Sequence, residues 1–111
     1  MNTFSTHVLD TMHGRPAAGM TVMLSGPEGE IGRGRTNADG RCPELAKTQL
    51  AAGRYALRFA VAEYFRGLRV ALPDPPFLDE VTVDFGVAAG GGHYHVPLLV
   101  SPFAYSTYRG S

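Results

Sequence analysis

Gly53-Arg54-Tyr55-Ala56-Leu57-Arg58-Phe59-Ala60-Val61 and Asp79-Glu80-Val81-Thr82-Val83-Asp84-Phe85-Gly86-Val87 decide the fold class. In the first stretch Tyr55, Leu57, Phe59 and Val61 share one parity; in the second Val81, Val83, Phe85 and Val87 do. Successive side chains of a strand point to opposite faces, so each stretch reads as a strand with one apolar face. Working outward, the same reading gives strands at Phe4–Thr11, Met20–Ser25, Ile31–Arg35 (weaker), His93–Ser101 and Phe103–Tyr108. In Met20–Ser25, Met20, Val22 and Leu24 oppose Thr21, Met23 and Ser25. Turn signals separate the runs: His13-Gly14-Arg15-Pro16, Gly26-Pro27-Glu28-Gly29, Ala38-Asp39-Gly40, Pro73 to Pro76, and Gly90-Gly91-Gly92. Short β-rich runs between turn signals predict an all-β sandwich or barrel. A short helix is expected at Ala62–Leu68 and irregular chain at Glu44–Ala52.

The 111 residues suit one domain, 1–111, which is large enough to bury a core without a disulfide or structural metal. Ten Lys+Arg balance ten Asp+Glu, which argues against a nucleic-acid binder. The single cysteine, Cys42, allows no intrachain disulfide or Cys-rich zinc site and reads as a small, partly buried residue. No apolar run approaches the roughly 20 residues that span a bilayer, so no membrane partner is expected. The first residues, Met1 to His7, carry neither a basic nor an apolar signal region, and a cytoplasmic protein is expected.

Four histidines are candidates for chemistry: His7, His13, His93 and His95. His13 falls in a turn signal and is expected to be solvated. His93 and His95 are two apart on one strand and face the same side; His7 shares a face with Leu9. If the first and penultimate strands are neighbours, these imidazoles can meet. Spacing alone leaves a bare acid/base site and a zinc site both open, although no H-E-x-x-H or clustered Asp/Glu supports a metal. Arg41 follows the Ala38-Asp39-Gly40 turn and could present a planar cation to an anionic or carbonyl-rich ligand.

Five segments carry a family resemblance. They are Ser5-Thr6-His7-Val8-Leu9-Asp10, Gly14-Arg15-Pro16-Ala17, Thr36-Asn37-Ala38-Asp39-Gly40-Arg41, His93-Tyr94-His95-Val96-Pro97-Leu98-Leu99-Val100-Ser101-Pro102, and Tyr105-Ser106-Thr107-Tyr108-Arg109-Gly110-Ser111. In this order they resemble the 5-hydroxyisourate hydrolases, the enzyme branch of the transthyretin-like family. The most specific motif is Tyr108-Arg109-Gly110-Ser111; the hormone carriers of the family lack it, and lack histidine at the positions of His7 and His95.

The resemblance implies an eight-stranded prealbumin/transthyretin-like β-sandwich with one short helix, matching Ala62–Leu68. It implies edge-strand dimers that pair into a homotetramer, with active sites in the channel between dimers. It implies His7, Arg41, His95 and Ser111 as catalytic residues. His7, Arg41, Tyr108, Arg109 and Gly110 would bind substrate, with Arg109 to Ser111 along the channel wall, and His93 would be structural. The implied reaction opens the six-membered ring of 5-hydroxyisourate at N1–C6, with no metal and no cofactor. The alternative is a carrier of a small aromatic ligand using the same channel.

Overall fold

The protein is described by a computed structural model for residues 1–110. Eleven elements follow one another among these residues. They are β1 (Asn2–Asp10), β2 (Arg15–Pro16), β3 (Thr21–Gly26), β4 (Gly29–Arg35), α1 (Pro43–Ala46), β5 (Gln49–Leu50), β6 (Gly53–Ala60), α2 (Val61–Gly67), β7 (Glu80–Val87), β8 (His93–Val100) and β9 (Tyr105–Thr107). One sheet has the order β2-β1-β8-β9, with β5 also pairing β1; the other has the order β4-β3-β6-β7. The predicted mostly-β sandwich is therefore the observed fold. Nine strands stand against the expected eight and two helices against one; β2 and β5 are only two residues long, and the second helix, α1, is a single turn.

The alternation read from the sequence sets the core. Phe4, Thr6 and Val8 of β1 are buried while Ser5, His7 and Leu9 are half-buried on the other side. Across from them Val22, Leu24, Leu57, Phe59 and Val81 close the core from the second sheet. Burying each such side chain is worth about 1.5–3 kcal/mol. A one-residue slip of β1 would turn His7 inward and Val8 outward, so the register is strongly specified.

The element that positions the site is the pairing of β1 with β8. It is parallel, in register from Thr3↔His93 to Asp10↔Val100. Parallel neighbours need a long crossover, and nearly the whole chain lies between these two. The first and penultimate strands are thus neighbours, as the meeting of their histidines requires.

The helix expected at Ala62–Leu68 runs Val61–Gly67, starting as soon as β6 ends. Val61, Ala62, Tyr64 and Phe65 form its buried stripe. Arg69 then takes a positive φ of 63° and turns the chain away. Glu44–Ala52 is more ordered than expected. Pro43 starts α1 at a position where its missing N–H costs nothing, and Leu45 and Leu50 both reach the core. No helix among the described residues is long and apolar enough to cross a membrane.

Candidate active site

The outer face of the β1–β8 pair carries the imidazoles. Inward parity belongs to Tyr94, Val96, Leu98 and Val100, so His93, His95 and Leu99 look outward beside Ser5, His7 and Leu9. Ser5 lies opposite His95 and His7 opposite Pro97. The Ser5 hydroxyl is hydrogen-bonded to His95 Nδ1 at 2.8 Å and to His93 Nε2 at 2.8 Å. His93 Nδ1 continues to the Thr3 hydroxyl at 2.7 Å. His93, expected to be structural, is therefore tied to His95 through one hydroxyl.

Arg41 is brought to this face by a turn packed against β1. The Asn37 side-chain oxygen accepts from the N–H groups of Asp39 at 3.0 Å and Arg41 at 3.1 Å. Gly40 accepts from the Val8 N–H at 2.8 Å, and His7 and Arg41 form an antiparallel bridge. His7 Nε2–H donates to the Asp39 carbonyl at 2.8 Å. A carbonyl only accepts, so neutral His7 carries its proton on Nε2 and leaves Nδ1 as its basic atom.

The chain's last described residues return to His95. The Gly110 N–H donates to the His95 carbonyl at 2.8 Å, and the two residues form an isolated bridge. A Cβ on Gly110 would collide with the His95 ring, so glycine lets the backbone pass there. Arg109, expected to bind substrate, is turned the other way. Its guanidinium sits 4.1 Å from the Tyr94 ring centroid and donates to the His93 carbonyl at 3.2 Å. Tyr94 has inward parity, so this side chain lies behind the sheet that displays His95. Tyr108 is 60% exposed and borders a cavity of about 450 Å³ with Thr107, Arg109, Tyr94 and Val96 at the sheet edge. Within one chain, then, His7, Arg41, His95 and the Gly110 backbone converge, the Arg109 side chain is directed elsewhere, and Tyr108 borders the sheet-edge cavity. Ser111 lies outside the described residues.

Partial burial, then the positive charge of Arg41, then His7 and His93, hold the His95 imidazole below its usual pKa. His95 is thus neutral at pH 7 and able to accept or donate a proton. Among the described residues no group of three or more His, Cys, Asp or Glu side chains is placed to hold a metal ion. His13 is exposed, as expected, but it is not without a partner. Its ring meets Asp10 Oδ2 at 2.6 Å, away from the site, where Tyr64 also donates to Asp10 at 2.7 Å. Cys42 is fully buried, and burial raises its thiol pKa. Sequence reasoning missed Ser5, Thr3 and Asn37. Ser5 was recoverable from parity, being two residues before His7 on the same strand face.

The chain is 53% identical to the 5-hydroxyisourate hydrolase of Ralstonia nicotianae, over all of both chains. It superposes on the Klebsiella pneumoniae 5-hydroxyisourate hydrolase structure with a TM-score of 0.87 and 37% identity, covering both chains fully. Sea bream transthyretin in complex with thyroxine gives a TM-score of 0.84 at 29% identity, over 97% of this chain and 94% of that one. The fold alone does not separate the two kinds of relative, because both superpose almost equally well. Residues 4–110 match the HIUase/Transthyretin family, and with that span and these identities the chain belongs to it.

Proposed function

We propose that this chain hydrolyses 5-hydroxyisourate, opening its six-membered ring at N1–C6 to give 2-oxo-4-hydroxy-4-carboxy-5-ureidoimidazoline. The observation that carries the reading is the convergence of His7, His95 and the Arg41 turn on one outer sheet face. The full-length similarity to a 5-hydroxyisourate hydrolase supplies the substrate. The reaction needs an activated water, a stabilised oxyanion and a proton for the departing nitrogen. His7 at Nδ1 and His95 at Nε2 are the two acid/base atoms, one for water and one for the leaving group. Such a group contributes typically about 10²–10⁴-fold. Arg41, always charged, stabilises the developing oxyanion. Ser111 and Tyr108 complete the proposed site from the C-terminal segment, and the Gly110 backbone approaches substrate beside His95. Arg109 braces that segment on Tyr94.

No metal or cofactor enters this scheme, since the two imidazoles and the guanidinium cover its proton and charge requirements. The working form is a homotetramer and the compartment the cytoplasm. The test is to generate 5-hydroxyisourate by enzymatic oxidation of urate and follow its ultraviolet decay with and without the protein, before and after dialysis against a chelator. Accelerated decay in both preparations is expected. Saturable binding of 5-hydroxyisourate without acceleration would favour a carrier; loss on chelation with recovery on adding Zn²⁺ would favour a metal site.

A further inference from the structure

Beyond the two acid/base histidines, the outer face holds an unbroken row of groups able both to give and to take a proton. Thr3 Oγ1, His93 Nδ1 and Nε2, Ser5 Oγ and His95 Nδ1 are joined by contacts of 2.7, 2.8 and 2.8 Å. Thr3 and His93 are exposed, Ser5 and His95 half-buried, so the row runs from solvent into the site. It has two self-consistent directions. In one, His95 Nδ1–H donates to Ser5, Ser5 to His93 Nε2, His93 Nδ1–H to Thr3 and Thr3 to water, which leaves His95 Nε2 with a free lone pair. In the other every bond reverses, and His95 Nε2 carries a proton.

We propose that Thr3, His93 and Ser5 form a proton relay ending on His95, which lets His95 exchange a proton at Nε2 while staying neutral. This rests on the reading of His95 as an acid/base group of the hydrolase site. The balance is simple. As Nε2 takes a proton from the attacking water, Nδ1–H passes to Ser5 Oγ, the Ser5 proton to His93 Nε2, the His93 Nδ1 proton to Thr3, and the Thr3 proton to solvent. One proton enters at His95 and one leaves at Thr3. Running the row backward returns a proton from solvent as His95 Nε2–H is given to the leaving nitrogen.

The surroundings favour such a route. The groups facing His95 are His7 from β1, Arg41 from the turn and His93 from its own strand. These are cations or groups that become cations, so an imidazolium on His95 is disfavoured. Half-burial adds to that cost. A relay removes the charge as fast as it arrives. Placement alone would also be achieved by static hydrogen bonds, and this is the competing role that a test must exclude.

Glutamine makes the separation at His93. Its amide can hydrogen-bond at both ends but cannot exchange donor for acceptor as a neutral imidazole does. His93→Gln is expected to lower single-turnover kcat about 10-fold or more at unchanged Tm. The wild-type rate plotted against the fraction of D₂O should curve, as several protons move together; in His93→Gln and Ser5→Ala it should become linear. Ser5→Thr keeps the hydroxyl and should retain the curvature. A linear wild-type plot, or wild-type rate and curvature in His93→Gln, overturns the relay. His95→Ala separates the two levels. A dead His95→Ala with an unaffected His93→Gln removes only the relay, whereas an active His95→Ala removes the acid/base reading beneath it.

Discussion

Asp10 gathers the polar contacts that lie away from the site. It ends β1 with its side chain wholly buried, and three donors meet it: the Tyr64 hydroxyl at 2.7 Å, the His13 ring at 2.6 Å and the His13 N–H at 3.0 Å. Burial pushes the carboxyl up, but the Tyr64 and His13 hydrogen bonds outweigh it and hold Asp10 below its usual value of 3.8. Burial, and then the same carboxylate, push the Tyr64 hydroxyl well above its ordinary range. A depressed folded pKa gives stability that is present above the unfolded value and lost as pH falls through the folded one. This network should therefore begin to fail below about pH 3.8. His13→Ala leaves a buried carboxylate short of a partner, at about 1–3 kcal/mol. For a domain of this size that is a Tm drop of at least about 4 °C. Activity per folded molecule should stay within about twofold of wild type. Thermal unfolding and kcat measured on one preparation check both, and a kcat loss at unchanged Tm would place His13 in the site. The sequence left this contact invisible because it depends on the geometry of a turn, whereas the facing of His7 and His95 follows from parity alone. Arg109 shows the same limit. Its alternation was legible, but without the bridge between His95 and Gly110 nothing tied that alternation to the faces of β8.

Among elements, the Asn37–Arg41 turn carries more of the site than any strand edge. It delivers the Arg41 cation and the Asp39 carbonyl that fixes the His7 tautomer. Gly40 takes a φ of +77°, and a Cβ there would stand 2.5 Å from the Val8 carbonyl and 3.2 Å from the His7 ring. An alanine pays twice, in backbone strain and in displacement of the turn from β1. Gly40→Ala should lower stability by about 1–3 kcal/mol and reduce kcat as well. Arg41→Ala, on the same turn but exposed, should leave Tm within a degree or two and cut kcat about 100-fold. Denaturant unfolding and turnover of both variants test the pair, and Gly40→Ala with wild-type values for both would show that the turn tolerates displacement. The turn was legible as Ala38-Asp39-Gly40 because the left-handed glycine has a sequence signature. The long strands were legible for a similar reason, since eight alternating residues leave little room for another reading. Glu44–Ala52 was not, because a single helical turn and a two-residue strand are too short to show a period. There the burial of Leu45 and Leu50 overrides local propensity.

At the scale of the molecule, the proposed site is open on one side in a single chain. The face that bears His7, His95 and Arg41 is open, and in open water a charge at 4 Å is worth only about 1 kcal/mol. Oxyanion stabilisation of the size a hydrolase needs calls for a wall that excludes solvent. Each sheet also has an edge strand without a second neighbour among the described residues, β7 in one and β9 in the other. Unpaired edges are templates for further strands. Large apolar side chains near the C-terminal segment remain in water, with Tyr105 47% and Phe103 60% exposed. Edge pairing through β7 and β9 would satisfy the backbone groups, and stacking two such dimers on the His7–His95 face would close the site. The sandwich was legible from strand parity; the expected tetramer came from the family resemblance, because parity shows which face is apolar and not whether the opposite face is sufficient alone. The assembly should behave as four chains of 11.9 kDa, about 48 kDa, by light scattering at micromolar concentration. Diluted until the chains separate, the protein should lose specific activity in step with mass while keeping its β-sheet circular dichroism. A monomer with full turnover would show that a single open face suffices for the reaction, and with it that water, not a second chain, forms the far wall of the site.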